Sequence, residues 1–262
     1  MLQLKKGIKL ESLRLPFKKA LTVAAEIGAD GVEINARTDV KPAELSRTGV
    51  RHLKKMLADL NLQVAAIHFP TRRGFDELDD LDRRLDATKS AMTMAYDLGC
   101  NVVTNRIGRV VEEVTDDRRS TLVQALTDLG IFGQRSGAWL AAQCGFEEPK
   151  ILKGLIDSLP TMAIGVDFDP AQMVINGFSP TDGMQLLAQH VMHFRARDAV
   201  HDLSLGRGLE VQLGRGSVDL PALLGKLEEH NYTGYFTIER DELADAIIQC
   251  SQAVEYLDNL FA

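Results

Sequence analysis

Two hydrophobic periods alternate along this chain. Short stretches with apolar residues at every second position, or in unbroken runs, are followed by longer ones in which they recur every three or four residues. The pattern predicts strands at Gly7 to Glu11, Asp30 to Asn35, Leu62 to His68, Asn101 to Arg106, Ala138 to Gln143, Met162 to Asp169, Val191 to Arg197 and Thr233 to Glu239. The first helix follows Pro16-Phe17 and ends near Gly28 as its C-cap; the next begins after Pro42 and carries Leu45, Leu53, Leu57 and Leu60. Others run through Met92 and Met94 to Gly99, from a Thr115 cap through Leu122, Leu126 and Leu129, from Pro149, and from Ser179 with Asp182 as capping acid. Asp219 and Pro221 open a helix carrying Leu220, Leu223, Leu224 and Leu227, and a helix over 243–259 closes the chain.

Eight strands alternating with helices at roughly thirty-residue spacing point to a (βα)8 barrel, one domain spanning 1–262, with a doubly wound sheet as the alternative. The last complete unit carries the most chemistry. Strand alternation puts His193, Arg195 and Arg197 on one face and Met192, Phe194 and Ala196 on the other; likewise Tyr235, Thr237 and Glu239 oppose Phe236 and Ile238. Between these strands the sequence predicts a loop holding Gly206-Arg207-Gly208 and Gly214-Arg215-Gly216, where backbone N–H groups can approach an anion. In a barrel the site lies at the C-terminal strand ends, which here offer Glu33, His68, Asn105 or Arg106, Gln143, Asp169, Arg195 with Arg197, and Glu239.

Composition narrows the classes. With 262 residues and 45% hydrophobic content the chain buries a large core, and no linker or low-complexity run divides it. Basic residues near the N-terminus precede no apolar segment of signal-peptide type, and no run approaches the roughly 20 residues of a membrane span. Three scattered cysteines, Cys100, Cys144 and Cys250, suggest neither a disulfide frame nor a zinc knuckle. A cytoplasmic protein with no membrane partner is expected, and a homo-oligomer is compatible with the sequence. The net charge of -7 argues against nucleic acid, so an anionic ligand needs a local basic pocket, for which Arg72, Arg73, Arg106, Arg197, Arg207 and Arg215 are candidates.

The segments GADGVEI, LAAQCG, GVDFDPAQM, HFRARDA, LGRGSVDLPALL and GYFTIER resemble successive landmarks of the xylose isomerase-like TIM barrels, a family of sugar-phosphate isomerases and epimerases with endonuclease relatives. The resemblance implies a divalent metal of the manganese or zinc type held by Glu, Asp, His and Glu on strands five to eight. Two of those positions match, Asp169 and Glu239; the other two are Gln143 and Arg195, and Gln172 stands where a His or Asn often follows the Asp. A guanidinium has no acceptor and stays protonated, so Arg195 cannot be a ligand. The expected consequence is a metal absent or weakly bound, with Arg195 standing between Asp169 and Glu239 as the replacement cation. His193, one layer deeper, reads as a buried hydrogen-bonded histidine rather than a substitute ligand.

The implied activity is isomerase- or epimerase-like proton transfer next to a sugar carbonyl. Glu239 would be the base, Arg195 or His68 would polarise the carbonyl, Gln143 would occupy a catalytic position without being a base, and Glu33, Arg106, Arg197, Gln172 and Arg215 would bind a sugar or sugar phosphate. The competing expectation is a sugar-binding protein without catalysis. Endonuclease activity is disfavoured, because only His68 and His193 fall on plausible strands for a multi-zinc site.

Overall fold

The structure is a computed structural model describing residues 4–113, 115–160, 163–202, 207–240 and 245–261. Strands β1 (Lys5–Lys9), β2 (Gly31–Asn35), β3 (Gln63–His68), β4 (Val102–Asn105), β5 (Trp139–Gln143), β6 (Gly165–Phe168) and β7 (Val191–Ala196) pair in parallel sequence. After a hairpin of β8 (Asp198–Asp202) and β9 (Arg207–Val211), β10 (Tyr235–Ile238) closes the barrel onto β1, with Gly7 opposite Thr237. The helices are α1 (Phe17–Glu26), α2 (Arg47–Asp59), α3 (Leu81–Asp97), α4 (Asp117–Ser136), α5 (Pro149–Ser158), α6 (Pro170–Ile175), α7 (Pro180–Leu187), α8 (Leu220–Glu229) and α9 (Ala246–Phe261). The closed parallel barrel is the predicted architecture, and the doubly wound alternative is excluded.

Strand alternation divides the barrel wall as the sequence indicates. Phe194 faces outward, stacked on Phe168 and tilted against Phe236 at ring-centroid distances of 5.8 and 4.9 Å, while His193, Arg195 and Thr237 face the interior. An inward Gly7 is needed because a Cβ there would lie 2.6 Å from the Thr237 hydroxyl. Gly28, at φ +91°, stands one residue past Ile27, the C-cap of α1.

Several boundaries differ. Only a 3-10 turn follows Pro42, and α2 starts from a Ser46 cap accepting from Gly49 N at 3.2 Å. Asp116, not Thr115, caps α4, because its carboxylate accepts from Arg118 N at 2.8 Å. Asp169 lies beyond β6 and caps the short helix α6, which is too brief to leave a periodic signature. The expected starts at Met162 and residue 243 lie outside the described residues.

The largest correction concerns the predicted loop after β7, which is an antiparallel hairpin, β8 with β9, followed by the glycine turn. The hairpin packs on α6, and Gly208 lies so close that a Cβ would come 2.6 Å from the Ile175 backbone. Gly206 and the side chain of Arg207 lie outside the described residues. The second glycine turn does bind an anion, but an internal one: Asp198 accepts from the N–H groups of Gly214, Gly216 and Val218 at 3.0, 2.8 and 3.1 Å. Among the described residues no helix is long and apolar enough to cross a membrane.

Candidate functional site

The polar ends of the strands meet at the C-terminal end of the barrel in two joined clusters. The first surrounds Arg195, which is 1% exposed. Its Nε donates to Asp167 Oδ2 at 2.7 Å, its Nη2 to Glu33 Oε1 at 3.1 Å, and its Nη1 to Glu33 Oε2 at 3.2 Å and to Glu239 Oε2. Lys9, at the end of β1, donates to the other oxygen of Glu239 at 2.6 Å. The second cluster surrounds Arg197, whose Nη1 donates to Asp169 Oδ2 at 2.9 Å and whose Nη2 donates to Glu210 Oε2 of β9 at 3.2 Å. Gln143 Nε2 also donates to Asp169 Oδ2, at 3.1 Å.

Arg195 therefore does not lie between Asp169 and Glu239 as expected. Asp167 faces inward opposite His193 in the β6–β7 register and takes the guanidinium, whereas Asp169, past the strand end, is left to Arg197. His193 is a buried hydrogen-bonded histidine, with Nδ1 2.7 Å from Asp167 and Nε2 2.7 Å from the Thr237 hydroxyl. His68 joins the first cluster indirectly: its Nδ1 lies 3.2 Å from the Thr104 hydroxyl, which donates to Glu33 at 2.6 Å. Gln172 contributes its backbone N–H to Asp169 at 2.9 Å. Arg106 and Arg215 stand apart, the first exposed and stacked 3.6 Å over Phe146, the second exposed on the glycine turn.

Electrostatics follow from this packing. Burial pushes Glu33 up, but Arg195, then His193 and Lys9, outweigh it and bring its pKa down to about 2. Glu239 is likewise held well below the carboxylate range, with Arg195 and Lys9 overcoming its burial. For Asp169 burial wins over Arg197, and its pKa is raised. Burial, reinforced by Lys9, lowers His68 to about 4, so its imidazole is neutral at pH 7.

A second feature lies on the same face, over the ends of β3 to β5. A cavity of about 510 Å³ is lined by Thr71, Arg72, Arg73, Arg106, Arg109, Arg118, Phe146 and Glu147, among others. Its floor is tightly built. Phe75 is fully buried and donates its N–H to Ile107 O at 2.7 Å, and a Cβ on Gly74 would lie 2.1 Å from Gly108 Cα. Glu147 is raised to about 7 by burial, with Arg106 opposing.

Sequence reasoning missed Lys9, Asp167, Thr104 and Glu147, and gave Thr237 its face but no role. Lys9 shares inward parity with Gly7, and Asp167 shares it with Asp169, so both are in principle legible. Glu147, in the turn after β5, carries no such signal. Trp139 and Tyr235 begin β5 and β10 at the opposite mouth, where the Tyr235 hydroxyl donates to Gln63 at 2.7 Å, and neither aromatic ring shapes this site.

A family profile described as the xylose isomerase-like TIM barrel matches residues 21–259, most of the chain and seven of its eight barrel strands. This chain belongs to that family. A xylose isomerase domain protein from Planctomyces limnophilus superposes with a TM-score of 0.81 at 26% identity, over 92% of this chain and 91% of that one. A xylose isomerase-like TIM barrel protein from Mycobacterium smegmatis, in complex with magnesium, superposes at 0.76 with 17% identity, over 93% and 87%. D-allulose 3-epimerase from Methylomonas sp. in complex with D-allulose superposes at 0.73 with 16% identity, over 99% and 98%. An inosose dehydratase from Geobacillus kaustophilus (strain HTA426) is 20% identical over 280 residues, covering 92% of this chain and 86% of that protein. Structures of this fold thus include one that holds magnesium and one that holds a sugar.

The residues present here do not fit a divalent ion. The space among Glu33, Asp167 and Glu239 is filled by a permanently charged guanidinium that satisfies all three, and Gln143 turns its NH2 toward Asp169. Among the described residues no group of three or more His, Cys, Asp or Glu side chains is arranged to hold a metal.

Proposed function

We propose that this barrel binds a sugar or sugar phosphate at its C-terminal mouth and does so without metal-assisted chemistry. The observation that carries the reading is the encasement of Arg195 by Glu33, Asp167 and Glu239, which leaves the guanidinium no donor for a substrate carbonyl. Glu239 is equally committed. One oxygen receives Lys9 and the other Arg195, and its depressed pKa makes it a poor proton acceptor at neutral pH. A base at Glu239 acting with Arg195 would have to break two ion pairs before touching substrate. The sugar class is supported by the relatives that carry or act on sugar-like molecules. Lys9, His68 and Gln143 reach the edge of the clusters, where hydroxyl groups could pair with them.

A second reading, isomerase- or epimerase-like proton transfer, is favoured by one observation. Glu147, in the arginine-lined cavity, has a pKa of about 7, the value that suits a general acid or base at neutral pH. One experiment separates the two. Ketohexoses, inososes and their phosphates are first tested for binding by calorimetry, and those that bind are incubated in deuterated buffer with and without chelator. Binding without exchange of a carbon-bound proton is the expected result. Exchange abolished in Glu147→Gln would establish the second reading, exchange abolished by chelator would overturn the metal-free proposal, and no binding by any sugar would overturn both.

A further inference from the structure

The arginine-lined cavity is out of keeping with the rest of the molecule. The chain carries a net charge of -7, yet five arginines, Arg72, Arg73, Arg106, Arg109 and Arg118, face this one space against three carboxylates, Asp76, Glu77 and Glu147. The pairings account for two of the five. Arg73 lies 3.7 Å from Glu77 and 2.7 Å from Asp79 outside the cavity, and Arg118 lies 3.5 Å from Asp76. Arg106 is spread over the Phe146 ring, which fixes its plane and leaves its N–H edge for another partner. Arg72 and Arg109 are exposed, and neither makes a side-chain hydrogen bond or ion pair with any described residue.

The support beneath these arginines is more elaborate than a solvated surface requires. Loops after β3 and β4 touch backbone to backbone at Gly74 and Gly108, and the latter is held at φ +114°. Asp76 is 4% exposed, and a Cβ on Gly108 would lie 2.0 Å from its Oδ1. Arg84, 9% exposed, ties the continuation of the loop down by donating to the carbonyls of Glu77 and Asp79. A rigid two-loop platform therefore presents three uncommitted guanidinium groups to one cavity large enough for a hexose derivative.

From this juxtaposition we infer that the cavity is the phosphate-gripping end of the ligand site, with Arg72, Arg106 and Arg109 closing on the phosphate group of a sugar phosphate. The inference rests on the sugar-binding reading above and names the ligand as a phosphate ester in preference to a free sugar. Guanidinium forks match phosphate oxygens in pairs, and removing one such charge-assisted hydrogen bond weakens binding on the order of tenfold. The glycine turn after β9 cannot take this role, because its N–H groups already hold Asp198. Glu147 complements the site: its carboxyl near pKa 7 adds little negative charge below neutrality and, when protonated, donates to a phosphate oxygen.

The test is calorimetry on the full chain at pH 6.5 in a phosphate-free buffer. The probes are D-allulose, D-fructose and D-tagatose, their 6-phosphates, inorganic phosphate and a short single-stranded oligonucleotide. The expected result is that at least one 6-phosphate binds ten times or more tighter than its free sugar. Arg72→Ser/Arg109→Ser should lose that advantage while keeping the free-sugar affinity and the parent melting temperature, since neither side chain holds the fold together. Equal affinity for ester and free sugar overturns the inference and leaves the sugar-binding reading standing. Binding of inorganic phosphate with no gain from the attached sugar, or tighter binding of the oligonucleotide, overturns it as well. Binding of neither sugars nor esters overturns both readings.

Discussion

Arg195 and Asp167, on neighbouring strands β7 and β6, are joined through two guanidinium nitrogens, Nε and Nη2, each 2.7 Å from Oδ2. Asp167 is thereby neutralised on one oxygen while its other oxygen receives His193. The guanidinium is thus a structural keystone for three buried carboxylates. Replacing it by an apolar residue of similar length, Arg195→Met, should destabilise the fold by about 3–5 kcal/mol, because one partner of a buried ionic cluster is removed and the others are left uncompensated. Urea unfolding would reveal this as a lower midpoint at unchanged slope; a midpoint within error of the parent would show the carboxylates relaxed by protonation or solvent instead.

The two clusters together hold a latent ligand set. Gln143→Glu together with Arg195→His removes the competing cation and restores donors that a hard divalent ion accepts, beside Asp169 and Glu239. Manganese or zinc should raise the melting temperature of this double variant and leave that of the parent unchanged. Absence of any metal-dependent shift in the variant would mean that Arg197 alone keeps Asp169 from a metal.

Two groups of the Arg195 cluster each withdraw stability in acid. His68 titrates near 4 in place of its ordinary 6.5, so between these values the unfolded chain binds a proton that the folded chain refuses, and stability falls as pH drops. Glu33, depressed from 4.5 to about 2, stabilises the fold above its unfolded value, and that contribution is lost as pH falls through the window between them. Because Glu147 acts in the opposite sense over the upper window, the test is differential: between about pH 6.5 and 4 the parent should lose melting temperature relative to His68→Gln, and the loss below about 4.5 should persist in that variant.

Glu147 works in the opposite sense. Its folded pKa of about 7 exceeds the ordinary 4.5, so the folded chain carries the cost of burying its charge above pH 7 and sheds it as pH falls. Glu147→Gln should therefore raise the melting temperature at pH 8 and give little gain at pH 5. An equal gain at both values would trace the effect to packing and not to charge.

The Asp198 cradle gives a geometric expectation. A Cβ at Gly216 would lie 2.0 Å from Asp198 Oδ1, so Gly216→Ala should push the carboxylate off the three N–H groups of the turn. A loss of about 1–3 kcal/mol is expected from the unsatisfied groups, with the amides of Gly214 and Val218 exchanging faster with solvent. Unchanged exchange at those amides would mean that the turn shifts as a unit.

The barrel is legible because alternation of strand and helix periods survives along the whole chain, and because strand parity sorts His193, Arg195 and Thr237 inward. The hairpin is not. Its strands are rich in charge and glycine, and their pairing depends on α6, whose existence the sequence signals only by Asp169-Pro170. The identity of Arg195's partners is also hidden. Parity admits both Asp167 and Asp169, and the choice between them is made by where β6 ends and by how β6 registers against β7, neither of which one strand's sequence contains.

The partners of Arg195 stand 28, 44 and 162 positions away along the chain. Glu33 belongs to the first quarter of the protein and Arg195 to the last third, so the cluster exists only once the ring of strands has shut. A partial ring without β7 would leave these carboxylates without their guanidinium, and one in which β10 has not met β1 would leave Glu33 apart from Arg195. Opening the seam where β10 meets β1 therefore also costs the Arg195–Glu33 pair, and the electrostatics of a single side chain couples the two ends of the polypeptide into one cooperative unit.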